Sequence, residues 1–367
     1  MLDEVLTSVE AAVLETALDP DTWPDVLEGI TDGAQAFGAV ILPVQGRVPG
    51  VPGTRNSRDL VDTYFRDGWA GKDKRELGLP KLLATGLAVE QDFVTEVEMN
   101  RDPFWQEFLG AFDLRWSCLL KINAGSDIWC LSIQRTIGQG LFTTADQQSL
   151  ARLISPLSRA ASFLQRLAEP RLDEVSDALA AFNCAAMLLS RTGTVTQINP
   201  RARALIEGEL KLARGELSCR DSAAAKALRQ HIDASLWAEV RPDSAALQPV
   251  AIPRPGRRPL ILQAHRLSGA IRGCFAPAVM VLLITDPDEA HVPRPSTLRV
   301  LFGLTDAEAR LACVLGQTFD LQAAAAQLGI AYNTARSQLQ AVFAKTGSAS
   351  QAELVALMSR IARAGPG

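Results

Sequence analysis

From Leu301 onward, apolar side chains return every three or four positions in a series of short runs. Ala307, Leu311, Val314 and Leu315 share one helical face. Ala335, Leu339, Val342 and Phe343 share another, and Leu354, Val355, Met358 and Ile361 a third. Helix-start signals stand where these runs open. Thr305 with Glu308 and Ser350 with Glu353 each fit a capping box, and Asp320 fits an N-cap. The second run ends at Leu328-Gly329-Ile330, where Gly329 suits a turn that needs positive φ. The spacing predicts four short helices with a glycine turn between the second and third. The third, over about Tyr332 to Lys345, leaves Arg336, Ser337 and Gln340 on its polar side.

The preceding residues carry a mixed pattern. Strands are predicted over Gly38–Val44, Ser117–Asn123 and Ile128–Arg135, the last two joined by a hairpin signal at Ala124–Asp127. Helical spacing covers Leu2–Leu18, Trp23–Phe37, Leu60–Arg66, Pro103–Phe112 and Ala145–Leu167, with Pro156 expected to kink the last. Gln45–Arg58, rich in Gly and Pro, reads as a loop. After a joining stretch at Leu167–Asp177 with Pro170, a second set begins. Ala186–Leu189 and Arg191–Pro200 read strand, Gly turn, strand. Helices at Ala202–Glu207 and Ala223–Glu239 follow, then strands at Pro259–Leu267 and Val279–Thr285 around the loop Gly269–Pro277. Asp286–Ser296 contains three prolines and reads as a semi-rigid linker. The chain divides into an α+β domain at 1–168, a second at 172–287, a linker at 288–297 and an all-α domain at 298–367.

Composition narrows the class. A chain of 367 residues suits two or three domains, and 47% apolar with 21% charged residues is ordinary for a globular protein. No apolar run reaches the length of a membrane span. Leu2–Leu18 is acidic and lacks the basic start of a secretion signal, so a cytoplasmic location is expected. Cys118, Cys130, Cys184, Cys219, Cys274 and Cys313 show no CxxC pair, and His231, His265 and His291 are scattered, so neither metal nor cofactor is expected. Phosphate loops and nucleophile elbows are lacking, which argues against an enzyme. The charge is uneven. Residues 291–367 hold seven Arg or Lys against four Asp or Glu, a net +3 in a chain of −4. Only the C-terminal stretch suits phosphate, and its small excess points to two copies acting together.

The C-terminal pattern resembles the LuxR-type (NarL/FixJ-type) helix-turn-helix domain. The residues that carry the resemblance are Leu304-Thr305 with Glu308, Leu328-Gly329-Ile330, Asn333-Thr334 with Arg336 and Leu339, Lys345-Thr346-Gly347 and Gln351-Ala352-Glu353-Leu354. The match covers about one fifth of the chain. It implies that Arg336, Ser337 and Gln340 meet base edges in a major groove, with Asn333, Thr334 and Lys345 near backbone phosphates. The chain departs from the family at Ala331, where Ser or Thr usually caps the reading helix, and at Ala335, Gln338 and the Ala323-Ala324 pair.

Eleven of the twenty-one aromatic residues lie between Tyr64 and Phe142. Such a concentration lines either a domain core or a pocket for a flat or apolar ligand; Tyr64, Trp69, Phe104, Trp105, Trp116 and Trp129 are the candidate pocket residues. The first domain resembles GAF-type folds, and Tyr64–Trp69 and Phe104–Ser117 look like segments of sensory domains that precede LuxR-type readers. In autoinducer-binding members a Tyr and a Trp accompany an Asp that holds an amide. Here the corresponding region reads Gly68 to Arg75, and Asp73 departs from the pattern. The second domain resembles the opening of a PAS domain, with Asn199 after its second strand. The whole reads as a multidomain chain: α+β GAF-like and PAS-like sensory domains followed by an all-α, four-helix LuxR-type DNA-binding domain. Expected partners are double-stranded DNA, a second copy of the chain and a small apolar or aromatic ligand, with RNA polymerase a further candidate and no membrane. The alternative is a ligand-binding sensor whose helix-turn-helix acts mainly through protein contacts.

Overall fold

The structure, a computed structural model, describes residues 22–46, 50–206, 208–238, 240, 242, 244–267, 275–289 and 292–364. The helix expected over Leu2–Leu18 lies outside the described residues, as does most of the Gly269–Pro277 loop.

The first sheet is antiparallel, in the order β1-β4-β3-β2. Its strands are β1 (Gly38–Pro43), β2 (Leu87–Val89), β3 (Leu114–Ala124) and β4 (Asp127–Thr136). Helices cover both faces, which is why β1 is buried at every position. Along β4, Trp129, Leu131 and Ile133 join a core with helix α1 (Trp23–Gly33), while Cys130, Ser132 and Gln134 alternate to the other side. That side is covered by α2 (Arg58–Arg66), α3 (Leu79–Thr85), α4 (Glu96–Met99) and a π-helical turn at Phe104–Leu109. Helix α1 stops short of Phe37, since Gln35 turns to φ 49°.

The long helix expected over Ala145–Leu167 is two helices, α5 (Thr144–Ala151) and α6 (Ile154–Ala181). The break falls at Arg152-Leu153, one turn ahead of Pro156. Proline has no N–H to bond the preceding turn and is tolerated where a helix begins. Helix α6 then continues unbroken past Pro170, so the joining stretch at Leu167–Asp177 is helix. Packing overrides the proline: Leu172 is buried against Leu188 and Ala278 of the second sheet. On the first sheet, Ser158 and Ser162 of α6 hydrogen-bond the backbone of Asn123 and Gly125 in the β3–β4 hairpin.

The second sheet has the order β6-β5-β11-β10-β9. It comprises β5 (Ala185–Leu189), β6 (Val195–Ile198), β9 (Val250–Arg254), β10 (Arg257–Arg266) and β11 (Met280–Thr285). Helix α7 (Pro200–Leu205) is capped by Asn199, which accepts Ala202 N–H at 2.9 Å. A short hairpin of β7 (Leu210–Ala213) and β8 (Glu216–Cys219) and helix α8 (Ser222–Leu236) complete this core. Its one buried histidine, His231, bridges Ala246 O and Ala264 N at 2.8 Å each and is a structural crosslink. Three aromatic contacts lock the sheets together. Phe275 packs edge-on between Trp129 and Trp23, with centroids at 4.9 and 5.4 Å, and Trp237 meets Phe65 at 5.6 Å.

The stretch read as a linker is partly structured. Asp286 is buried and pairs with Arg254 and Arg257, and helix α9 (Pro295–Phe302) begins inside it. Four further helices follow: α10 (Asp306–Thr318), α11 (Leu321–Leu328), α12 (Tyr332–Thr346) and α13 (Gln351–Ala364). They enclose a separate core of Leu311, Leu315, Ala335, Val342, Leu354 and Met358. Among the described residues no helix is long and apolar enough to cross a membrane.

Candidate functional site

Two places gather the candidate residues. The first is the α2 side of the first sheet. Helix α2 buries Tyr64 and Phe65, and the turn after it carries Trp69, which stacks on Phe108 at 5.5 Å and 20°. Phe104 and Trp105, from the π-turn, meet edge-on at 5.5 Å. Trp116, on β3, borders the same cluster. Five of the six candidate pocket residues are thus brought together. Trp129 is not: it lies on the opposite face, with Arg191 stacked 4.3 Å over its ring.

A polar network, of which the sequence reading named only Asp73 and as a departure from the family pattern, runs beneath these rings. Asp73 is buried beside Tyr64, whose hydroxyl donates to its Oδ2 at 2.9 Å. Arg75 turns back and grips both oxygens of Asp73, Nε to Oδ1 and Nη2 to Oδ2 at 2.9 Å each. Its guanidinium lies 5.2 Å from the Phe104 ring centre. Burial works against the Arg75 charge, but the Asp73 carboxylate outweighs it and holds the guanidinium above its ordinary range. Glu90 is wholly buried. It accepts the Trp105 indole N–H at 2.6 Å and the Ser117 hydroxyl. Burial pushes its carboxyl up to about 7, against the pull of Ser117, Arg75 and Trp105. Two signals pointed to it: Asp73 stands in the region that corresponds to the amide-holding Asp of autoinducer-binding members, and two opposite charges lie two positions apart at a turn; charged residues in loops are usually solvated.

The cavity among Val40, Leu60, Tyr64, Arg75, Phe108 and Gln134 is about 10 Å³, close to the least that holds one water. The Gln134 side-chain oxygen Oε1 beside it is buried without a partner among the described residues.

The second place is the outer side of α12. The caps stand as the pattern predicts. Thr305 and Glu308 exchange bonds at 3.3 and 2.7 Å, and Asp320 accepts Gln322 N–H and Ala323 N–H at 3.1 Å each. Gly329 turns at φ 66° and sends the chain into α12. The second capping box is half made: Ser350 accepts Glu353 N–H at 3.2 Å, but the Glu353 carboxylate takes Ala349 N–H instead. Ala335, Leu339 and Val342 dock α12 on the core, leaving Asn333, Thr334, Arg336, Ser337 and Gln340 exposed. Ser337 is engaged, its hydroxyl donating to Asn333 O at 3.1 Å. Lys345 stands apart from this row and pairs with Glu308, Nζ to Oε2 at 2.7 Å.

No protein-family model and no curated protein matches the chain. Among solved structures, the VqsR LBD domain from Pseudomonas aeruginosa is similar over 43% of this chain and 96% of its own, at 16% identity and a TM-score of 0.33. The E. coli DhaR(N)-DhaL complex is similar over 77% of this chain and 86% of its own, at 11% identity and a TM-score of 0.24. Both overlaps are loose, and the architecture above rests on the chain's own strand order and packing.

Proposed function

We propose that the chain is a DNA-binding transcriptional regulator of LuxR type, working as a homodimer, whose promoter binding is controlled by a small molecule held in the N-terminal sensory region. One observation carries the reading. A helix that opens from a glycine turn presents Asn333, Thr334, Arg336 and Gln340 as a bare polar row, while its opposite face is sunk in the helical core. Arginine and glutamine are the side chains that pair with guanine and adenine edges in a major groove. The net +3 of residues 291–367 suits phosphate. In a dimer, two such helices would enter grooves about 10 bp apart.

The sensory half of the reading draws on the two sheets. The second has its first and last strands side by side at the centre, in keeping with a PAS-like module. In the first, a ligand among Tyr64, Trp69, Phe104, Trp105 and Trp116 requires those rings to part.

A second reading, in which the C-terminal helices contact protein, draws on α9. Val300 and Leu301 stand 85% and 55% exposed there. Fluorescence anisotropy of full-length protein on its own upstream DNA, titrated with salt, separates the two. A steep loss of affinity with salt together with sequence preference supports the regulator. Weak, sequence-blind binding supports the protein-contact reading.

A further inference from the structure

Where the first sheet meets the second, a cleft of about 380 Å³ remains open. That volume is within the range of small-molecule sites, which favour the junctions of domains. Its walls come from both sides: the β3–β4 hairpin with Asp127 and Trp129 on one, the β5–β6 turn from Ser190 to Thr194 on the other, and Gln165 of α6 between them.

The turn is a triangle of hydroxyls. Ser190 Oγ lies 2.8 Å from Thr192 Oγ1 and 2.6 Å from Thr194 Oγ1, and the two threonines are 3.0 Å apart. Ser190 Oγ also accepts the N–H groups of Thr192 and Thr194, at 3.2 and 3.3 Å. A hydroxyl accepts twice and donates once. Three contacts of 3.0 Å or less need three protons, so the hydroxyls donate to one another around the ring, and each threonine oxygen keeps a lone pair. Both threonines line the cleft, so the turn offers it acceptors.

The opposite wall offers acceptors too. Among the described residues, the Asp127 carboxylate receives a long contact from Gln165 Nε2, at 3.5 Å. Arg191 is already engaged, its guanidinium over the Trp129 ring and its Nη2 donating to Ala276 O at 3.3 Å. Asp127 offsets its charge, so the lining as a whole selects neither an anion nor a cation. Acceptors that face one another across a cleft without net charge are met by uncharged donors, and the hydroxyl is such a group.

We infer that this cleft binds an uncharged, hydroxyl-rich molecule of small-polyol or monosaccharide size. The inference rests on the ligand-sensing half of the proposed function and not on its DNA-binding half. An occupant touching the hairpin and the turn together would hold the two sheets in one arrangement.

Isothermal titration of the full-length protein with glycerol, ribose, glucose and myo-inositol, with succinate and putrescine as charged controls, tests it. At least one neutral compound is expected to bind one to one. Thr194→Val and Asp127→Ala should each weaken it about tenfold, the worth of a lost hydrogen bond. Lys211→Ala, on the exposed β7–β8 hairpin, should leave it unchanged. If either cleft variant fails to fold, Thr192→Val at the exposed rim takes its place. Binding by none of the neutral compounds, binding only by a charged control, or binding indifferent to the cleft variants overturns the inference. DNA binding of the same samples is read separately, so that loss of one activity with the other intact shows which reading has failed.

Discussion

Lys345, near the end of α12, reaches back to Glu308 in the first turn of α10, Nζ to Oε2 at 2.7 Å. The same oxygen accepts Thr305 N–H at 2.7 Å, so one carboxylate both caps a helix and holds another. The Lys345 bond, then the cap, draws the Glu308 carboxyl below its usual range. A depressed carboxyl stabilises above its unfolded value, and that contribution is lost as pH falls through the folded one. Lys345→Ala and Glu308→Gln should each lower stability by about 0.5–1 kcal/mol, and combining them should cost less than their sum. Thermal melts of the four proteins check this. The pair also sorts out the role of Lys345 on DNA. If its ammonium serves phosphate as well, Lys345→Ala flattens the salt dependence of binding and Glu308→Gln does not. An unchanged salt slope in Lys345→Ala would confine the residue to holding the helices.

Arg336 is the exposed cation in the middle of α12. Arg336→Ala should cost about 1–3 kcal/mol on the preferred DNA sequence and relax the choice of one base pair. Ser337→Ala should cost less, because the Ser337 hydroxyl already donates to Asn333 O. Competition binding against a set of single-base variants measures both. Equal losses on specific and scrambled DNA would move Arg336 from base recognition to the backbone.

Glu90 predicts an unusual pH dependence. Burial raises its carboxyl to about 7 in the folded protein, against about 4.3 for an unfolded glutamate. Below the lower value the group is protonated in both states, and its contribution is complete. As pH rises between the two values the unfolded chain gives up the proton first, so stability falls, by about 4 kcal/mol in all, and levels off above the higher value. Glu90→Gln keeps an acceptor for Trp105 and Ser117 and carries no proton to lose. It should therefore gain on wild type between pH 5 and pH 8 by roughly that amount. Urea unfolding of both proteins across this range checks it, and parallel curves would mean that Glu90 keeps an ordinary value.

What was legible in the sequence was local. Thr305 with Glu308, Asp320 and Gly329 announce helix ends through contacts spanning three or four residues, and all are present in the structure. The β3–β4 hairpin was legible for the same reason. Trp129 shows where that stops. Alternation places Trp129 and Cys130 on opposite faces of β4, but which face receives Tyr64 is decided by α2, sixty-odd residues earlier. Pro170 shows the opposite failure, a valid local signal overridden when Leu172 found burial against the second sheet. The strands β7 and β8 are four residues each and half exposed, too short for alternation to stand out.

The Asp73–Arg75 pair is the hardest element of the first domain to replace one residue at a time. Both side chains are almost wholly buried, bound at two points, with Tyr64 on the carboxylate and Ser132 3.4 Å from Arg75 Nη1. Removing one partner leaves the other charge in a low-dielectric interior, which typically costs 3–5 kcal/mol. Arg75→Met and Asp73→Ala should each destabilise by about that amount, and Tyr64→Phe by about 1 kcal/mol. The double variant Asp73→Ala with Arg75→Met should recover part of the loss, because no unpaired charge remains. Denaturant unfolding of the full cycle measures the coupling. Strict additivity would show that water reaches the pair and that the Tyr64 side of the sheet opens in solution, the same opening that a ligand among these rings requires.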